Sequence, residues 1–147
     1  MVVDLYCGAG TFALALAGQA REVYGVEVEP AAVKDARLNA ERNGIGNATF
    51  LEGDLEEVAA MGQLPDYPDV IITDPARAGM SPAVISYILD SGAKRVVYIS
   101  CNPATQARDL KQLCTQGGGP YRLEALQPMD LFPQTLHVEN IAVLDLA

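Results

Sequence analysis

The chain has 147 residues, half of them hydrophobic and a fifth charged, the size and composition of one globular domain with a substantial core. Its net charge of −9, from 19 acidic against 10 basic residues, argues against a surface that grips a nucleic-acid backbone unaided, because phosphate contacts need clustered lysine and arginine. No apolar run approaches a membrane span. Three cysteines and a single histidine show no metal-ligand spacing and point to a reducing cytoplasm rather than a disulfide framework or a zinc site.

Met1 to Tyr6 reads as a short buried strand that starts at once, so the chain is expected to be a fragment whose N-terminal portion has been removed. Cys7-Gly8-Ala9-Gly10-Thr11-Phe12-Ala13 follows, a Gly-x-Gly-x-x-Ala turn opening a helix over about 12–17 with Gly18 as its stop. A second strand, Val23 to Glu27, ends on an acidic residue, and Pro30 opens a helix over 31–43 closed by Gly44. Ala48 to Glu52 is a third strand with Gly53-Asp54 at its end, then a short helix over 55–61 and a loop over 65–68. Val70 to Thr73 is a fourth strand, ending at Asp74-Pro75-Ala76-Arg77, and Ser81 caps a helix that starts at Pro82 and runs to about Ser91.

The β-branched run Val96-Val97-Tyr98-Ile99 reads as a strand buried on both faces and stops at Ser100-Cys101-Asn102-Pro103. Pro103 suits the first turn of a helix to about Cys114, with Asn102 as its cap. After a flexible break at Gly117-Gly118-Gly119-Pro120, Tyr121 to Gln127 makes a strand, 128–137 a loop and Asn140 to Leu146 the last strand. Strands alternating with helices imply a doubly wound, mostly parallel sheet. The final two strands, joined without a helix, form an antiparallel pair at one side.

Open sheets of this kind bind ligands at the carboxyl ends of their strands. The glycine turn alone is a weak signal. Asp4, just upstream of it, would repel a dinucleotide's pyrophosphate and attract a ligand that carries an ammonium, which favours S-adenosylmethionine over NAD. Glu27 follows Gly8 at about the ribose-binding spacing and is the expected acceptor for the ribose hydroxyls. Asp54 is placed to accept from the adenine amino group. Any one of these carboxylates could merely cap a helix, but three at successive strand ends argue for a site.

Asp74 closes the fourth strand and Cys101 the fifth, so both are expected to face the same crevice, and Glu139 precedes the last strand. Taken alone, Cys101 could equally be a packed core cysteine and Glu139 a solvated carboxylate. A thiol beside a methyl donor suggests uracil C5 chemistry: thiolate addition at C6 makes C5 nucleophilic, and a carboxylate then removes the C5 proton so that the thiol can leave. Methylation of a nucleobase amine through Asp74-Pro75 is a weaker reading, since Ala76-Arg77 offers no aromatic clamp. A fragment that only binds cofactor, or only folds, is the third.

The segments Asp4-Leu5-Tyr6-Cys7-Gly8-Ala9-Gly10-Thr11-Phe12, Gly25-Val26-Glu27, Asp74-Pro75-Ala76-Arg77-Ala78-Gly79, Ser100-Cys101-Asn102-Pro103-Ala104-Thr105, Asp130-Leu131-Phe132-Pro133-Gln134-Thr135 and His137-Val138-Glu139 together resemble the RNA (uracil-5-)-methyltransferase family. The resemblance covers nearly the whole chain, as that family's C-terminal catalytic domain. It implies a Rossmann-like class I S-adenosylmethionine-dependent methyltransferase, an α/β fold with a mostly parallel seven-stranded sheet, helices on both faces and a C-terminal antiparallel hairpin. It implies Cys101 as nucleophile and Glu139 as proton-abstracting base. Contacts to S-adenosyl-L-methionine are implied for Asp4, Tyr6, Gly8, Gly10, Thr11, Glu27, Asp54 and Asp74, and Arg77 would help hold that region together.

The implied partner is RNA, ribosomal ahead of transfer RNA, with no DNA and no membrane, in the cytoplasm, and the target base must be extruded to reach such a pocket. Members of that family usually carry an N-terminal RNA-binding domain of OB-like type, and many a cysteine-ligated iron–sulfur cluster. Neither lies in these residues, so RNA is expected to be gripped mainly by a missing N-terminal domain, in keeping with the acidic charge. Ala76 and Ala78 stand where the family often has Pro and Lys.

Overall fold

The computed structural model describes residues 1–131 and 133–147. Seven strands, β1 (Val2–Leu5), β2 (Val23–Glu27), β3 (Ala48–Glu52), β4 (Val70–Thr73), β5 (Arg95–Ser100), β6 (Tyr121–Met129) and β7 (Glu139–Leu146), form one sheet in the order β3-β2-β1-β4-β5-β7-β6. The first five run parallel, and β7 lies antiparallel between β5 and β6. Five helices join them: α1 (Thr11–Leu16), α2 (Pro30–Arg42), α3 (Leu55–Ala60), α4 (Pro82–Ser91) and α5 (Pro103–Leu113).

Side chains alternate across a strand, and the strand residues divide accordingly between two cores. On one face α1 and α2 bury Ala13, Val33 and Ala36 against Val2, Val23, Phe50 and Ile72. On the other, α3, α4 and α5 bury Val58, Ile88 and Leu113 against Val3, Leu5, Ile71 and Val96. Helix starts follow their caps: Ser81 Oγ accepts from Val84 N, and Asn102 Oδ1 accepts from Ala104 N at 3.2 Å, each followed by a proline at the first helical position.

Several boundaries differ from the sequence reading, most by a single residue, and three of the differences matter. A 3₁₀ turn over Ala17–Gln19 carries the chain through Gly18, which is not the stop of α1. β5 ends at Ser100, leaving Cys101 one residue beyond it. β6 runs to Met129 through Pro128, a position tolerated because β6 is an edge strand and needs no donor on its outer side. Among the described residues no helix is long and apolar enough to cross a membrane.

Candidate active site

The ends of β1, β2 and β3 build a cleft lined by Tyr6, Val26, Glu27, Gly53, Asp54 and Ser81. Beside it runs the glycine turn. Gly10 takes φ 85 as the cap of α1, and a Cβ there would press on Phe50 at 3.1 Å, whereas one on Gly8 would project into open space. Two carboxylates brace the turn. Glu27 Oε2 accepts from Gly8 N at 2.9 Å and Oε1 from Glu29 N at 3.0 Å. Asp4 Oδ2 accepts from Ala13 N at 3.0 Å.

Asp4 lies beneath the turn rather than at the surface of the crevice. It is 0% exposed, because strand alternation turns it under α1, and its Oδ1 is buried with no hydrogen-bond partner. Burial pushes its pKa up to about 7; the Ala13 N–H pulls the other way, and the charges of Asp74 and Glu27 add to the rise. Tyr6 sits in the left-handed region at φ 65, a backbone state that costs a tyrosine roughly 1–3 kcal/mol and clusters at functional sites. Burial raises its phenol. Asp54 lines the cleft while capping α3 through Glu56 N at 2.8 Å. Thr11 is exposed at the start of α1.

Across the sheet a larger pocket of about 500 Å³ is lined by Phe12, Asp74, Ile99, Cys101, Glu139 and Ile141, with Met129 and Leu131 at its side. Strand parity explains the grouping. Ile99 and Cys101 on one side, and Glu139 and Ile141 on the other, share the face opposite to the paired rung Ser100–Asn140. Burial, then the Glu139 carboxylate, raises the Asp74 pKa. Of the three cysteines only Cys101 lines this pocket. Cys7 is a core group whose thiol is pushed up to about 12 by burial and then by Asp4 and Glu27.

The loop carrying Asp74 and Arg77 is stitched to the start of α5. Arg77 O accepts from Asn102 Nδ2 at 3.0 Å and Thr105 Oγ1 at 3.2 Å, and Ala78 O accepts from Arg108 Nη2 at 2.9 Å. Asp109, fully buried, accepts from Met80 N at 2.9 Å and Tyr98 OH at 2.8 Å. Arg77 Nη1 donates to His137 Nδ1 at 3.2 Å, so it does tie this loop to the segment before β7. Phe132 of that segment lies outside the described residues. Gly79 takes φ 80, and a Cβ on it would lie 2.5 Å from Asp109 Oδ2. Gly79→Ala should therefore destabilise the fold by at least about 1–3 kcal/mol, read as a lower urea midpoint at unchanged slope.

Of the residues the sequence singles out, Cys101, Glu139 and Asp74 line the second pocket and Tyr6, Glu27 and Asp54 the first; Ser81 in the first and the apolar wall of the second were not singled out as site residues. Phe12 follows the glycine turn directly, and Ile99 and Ile141 are one alternation away from Cys101 and Glu139. That period-two spacing was the available signal.

The tRNA (uracil-5-)-methyltransferase family matches residues 1–146. An uncharacterized RNA methyltransferase of Bacteroides thetaiotaomicron is 50% identical over 99% of this chain and 32% of its own length. Another, from Thermosynechococcus vestitus, is 51% identical over 97% of this chain and 31% of its own. The chain thus spans about a third of the length of these curated relatives. Among solved structures, the Pyrococcus abyssi tRNA (uracil-54, C5)-methyltransferase in complex with S-adenosyl-L-homocysteine superposes with a TM-score of 0.81 at 33% identity, over 97% of this chain and 33% of that one. An rRNA methylase from Streptococcus thermophilus shares the fold at TM-score 0.79 and 18% identity, over 99% of this chain and 85% of its own. The seven-stranded sheet is that of S-adenosylmethionine-dependent methyltransferases, and by its match over residues 1–146 the chain belongs to the tRNA (uracil-5-)-methyltransferase family.

Proposed function

We propose that this chain is a catalytic domain that binds S-adenosylmethionine and methylates C5 of a uridine in RNA, with Cys101 as nucleophile and Glu139 as base. The observation that carries the reading is the convergence of Asp74, Cys101 and Glu139, from the ends of three different strands, on one pocket walled by Phe12. The cofactor cleft fits the same reading. Its polar side chains include the acceptors Glu27 and Asp54, suited to ribose hydroxyls and an adenine amino group. The unpartnered Asp4 Oδ1 beneath the glycine turn favours a cation over a phosphate nearby.

S-adenosylmethionine supplies an electrophilic methyl group on its sulfonium sulfur. Uracil C5 is too poor a nucleophile to take it unaided. Cys101 Sγ, as thiolate, bonds to C6, and the C5=C6 π pair moves toward C5 and O4. C5 receives the methyl group, and the pair of the broken S–CH₃ bond stays on the departing sulfur. Glu139 then takes the C5 proton, the C–H pair re-forms C5=C6, and the S–C6 pair returns to Cys101. The pocket's apolar wall of Phe12, Ile99 and Ile141 suits the flat face of an extruded base. With a net charge of −9, this domain relies on other parts of a longer protein to hold RNA, ribosomal RNA being the first substrate to test.

The test is loss of hydrogen from C5. RNA labelled with tritium at uridine C5, as 23S ribosomal and as transfer RNA transcripts, is incubated with the full-length protein and S-adenosylmethionine. Tritium should appear in water in step with methylation of one of the two RNAs. Methylation with full tritium retention would place the methyl group on another atom and end the C5 reading.

A further inference from the structure

We propose that the buried amide pair Gln106–Asn140 is a register lock that sets Glu139 opposite Cys101, making both amides positioning residues for proton abstraction; the proposal rests on the reading of Glu139 as the base. Gln106 on α5 is 1% exposed and Asn140 on β7 is 7% exposed. Gln106 Nε2 donates to Tyr98 O at 2.9 Å and to Asn140 O at 3.1 Å, while Asn140 Nδ2 donates to Gln106 Oε1 at 2.5 Å. Two carbonyl acceptors on one side fix which end of the Gln106 amide carries the hydrogens.

β7 enters the sheet from a connection with no helix, and its first rung against β5 is Asn140 with Ser100. One residue further out on each strand stand Glu139 and Cys101, on the opposite face. A slip of one residue would carry Glu139 into the core beside Gln106 and turn it away from the pocket. A slip of two would keep the faces but move Glu139 along β5 and away from Cys101. The neighbouring inward residues of β7, Ala142 and Leu144, are apolar and tolerate either rung poorly but without direction. At the far end of the same two strands Arg95 donates twice to Asp145, an exposed pair that salt and water weaken; the amide pair is the buried one and lies next to Glu139.

The test uses the full-length protein in three variants. Gln106→Leu with Asn140→Val removes both side-chain amides together; the carbonyls of Tyr98 and Asn140 lose the Gln106 donor, so some stability is lost, but folding and cofactor affinity should persist. Gln106→Glu keeps the acceptor for Asn140 Nδ2 and, protonated at this buried position, can donate only one of the two bonds to Tyr98 O and Asn140 O; its near-native shape keeps the question answerable if the double variant fails to fold. Glu139→Gln is the reference for a missing base. In the double variant, tritium release from C5 should fall by about tenfold or more, as a misplaced group does. Single-turnover methyl transfer should be less affected, so methylated RNA should accumulate covalently on the protein, as with Glu139→Gln. Gln106→Glu should show the same imbalance to a smaller degree. Unchanged turnover in both amide variants, or equal slowing of every step with loss of cofactor affinity, would overturn the lock. If Glu139→Gln itself releases tritium at the native rate, the base assignment falls and the proposal with it.

Discussion

Cys101→Ala in the full-length protein is expected to abolish methyl transfer and C5 hydrogen release together, by about 10⁴-fold or more, because losing the nucleophile leaves only binding and orientation. Cys101 is half-buried at the rim of its pocket and only one residue past β5, so the substitution removes little packing, and cofactor affinity should be retained. The same variant decides a second measurement. RNA with 5-fluorouridine at the target position gives Glu139 no proton to take, so the reaction should halt with the methyl group on C5 and Cys101 bonded to C6. Intact mass should show protein joined to RNA, dependent on S-adenosylmethionine and absent in Cys101→Ala. Methylation that survives in Cys101→Ala would remove the covalent route and leave a methyltransferase acting on a more nucleophilic atom.

Most of the architecture was legible because local signals and global fold agree here. β4 and α4 are short apolar runs bounded by strong punctuation, Asp74-Pro75 and Ser81-Pro82, and both fall where expected. The antiparallel end of the sheet followed from the missing crossover between β6 and β7. The chemistry and the motifs paired Cys101 with Glu139 in the sequence, but the strand order that seats them in one pocket, with β7 beside β5 rather than at the edge, was not legible.

Buried polar networks were the least legible part. Gln106 and Asp109 lie on a helix whose sequence reads as solvated, and each is buried by partners far away in the chain, Asn140 for one and Met80 for the other. Composition and periodicity count polar residues as surface, so pairs that satisfy each other in the core escape them. Tyr6 was named as a cofactor contact, but its conformation escaped for another reason. Its left-handed backbone is imposed by the turn that follows, against the preference of its own side chain.

Asp4→Asn is expected to stabilise the ligand-free protein at pH 8 while weakening its hold on S-adenosylmethionine. Folded, Asp4 titrates at about 7 against an ordinary value of 3.8, chiefly through burial, with Asp74 and Glu27 adding to the rise against the Ala13 hydrogen bond. Between those values the folded protein holds the proton and the unfolded chain does not. The stability this carboxyl lends is therefore complete below about pH 3.8 and is lost as pH climbs through about 7. The full shift corresponds to about 4 kcal/mol. An amide keeps the acceptor for Ala13 N and never charges, so the variant's advantage in urea midpoint should open between pH 4 and 7 and then level off. A constant difference across that range would mean that the fold does not raise the Asp4 pKa above its ordinary value. Saturating S-adenosylmethionine should narrow the gap at pH 8, since a cationic ligand near Asp4 favours its charged form. Asp4 is fully buried beneath the glycine turn, so it would act on the ligand through its charge rather than by contact, a local instability kept because binding relieves it.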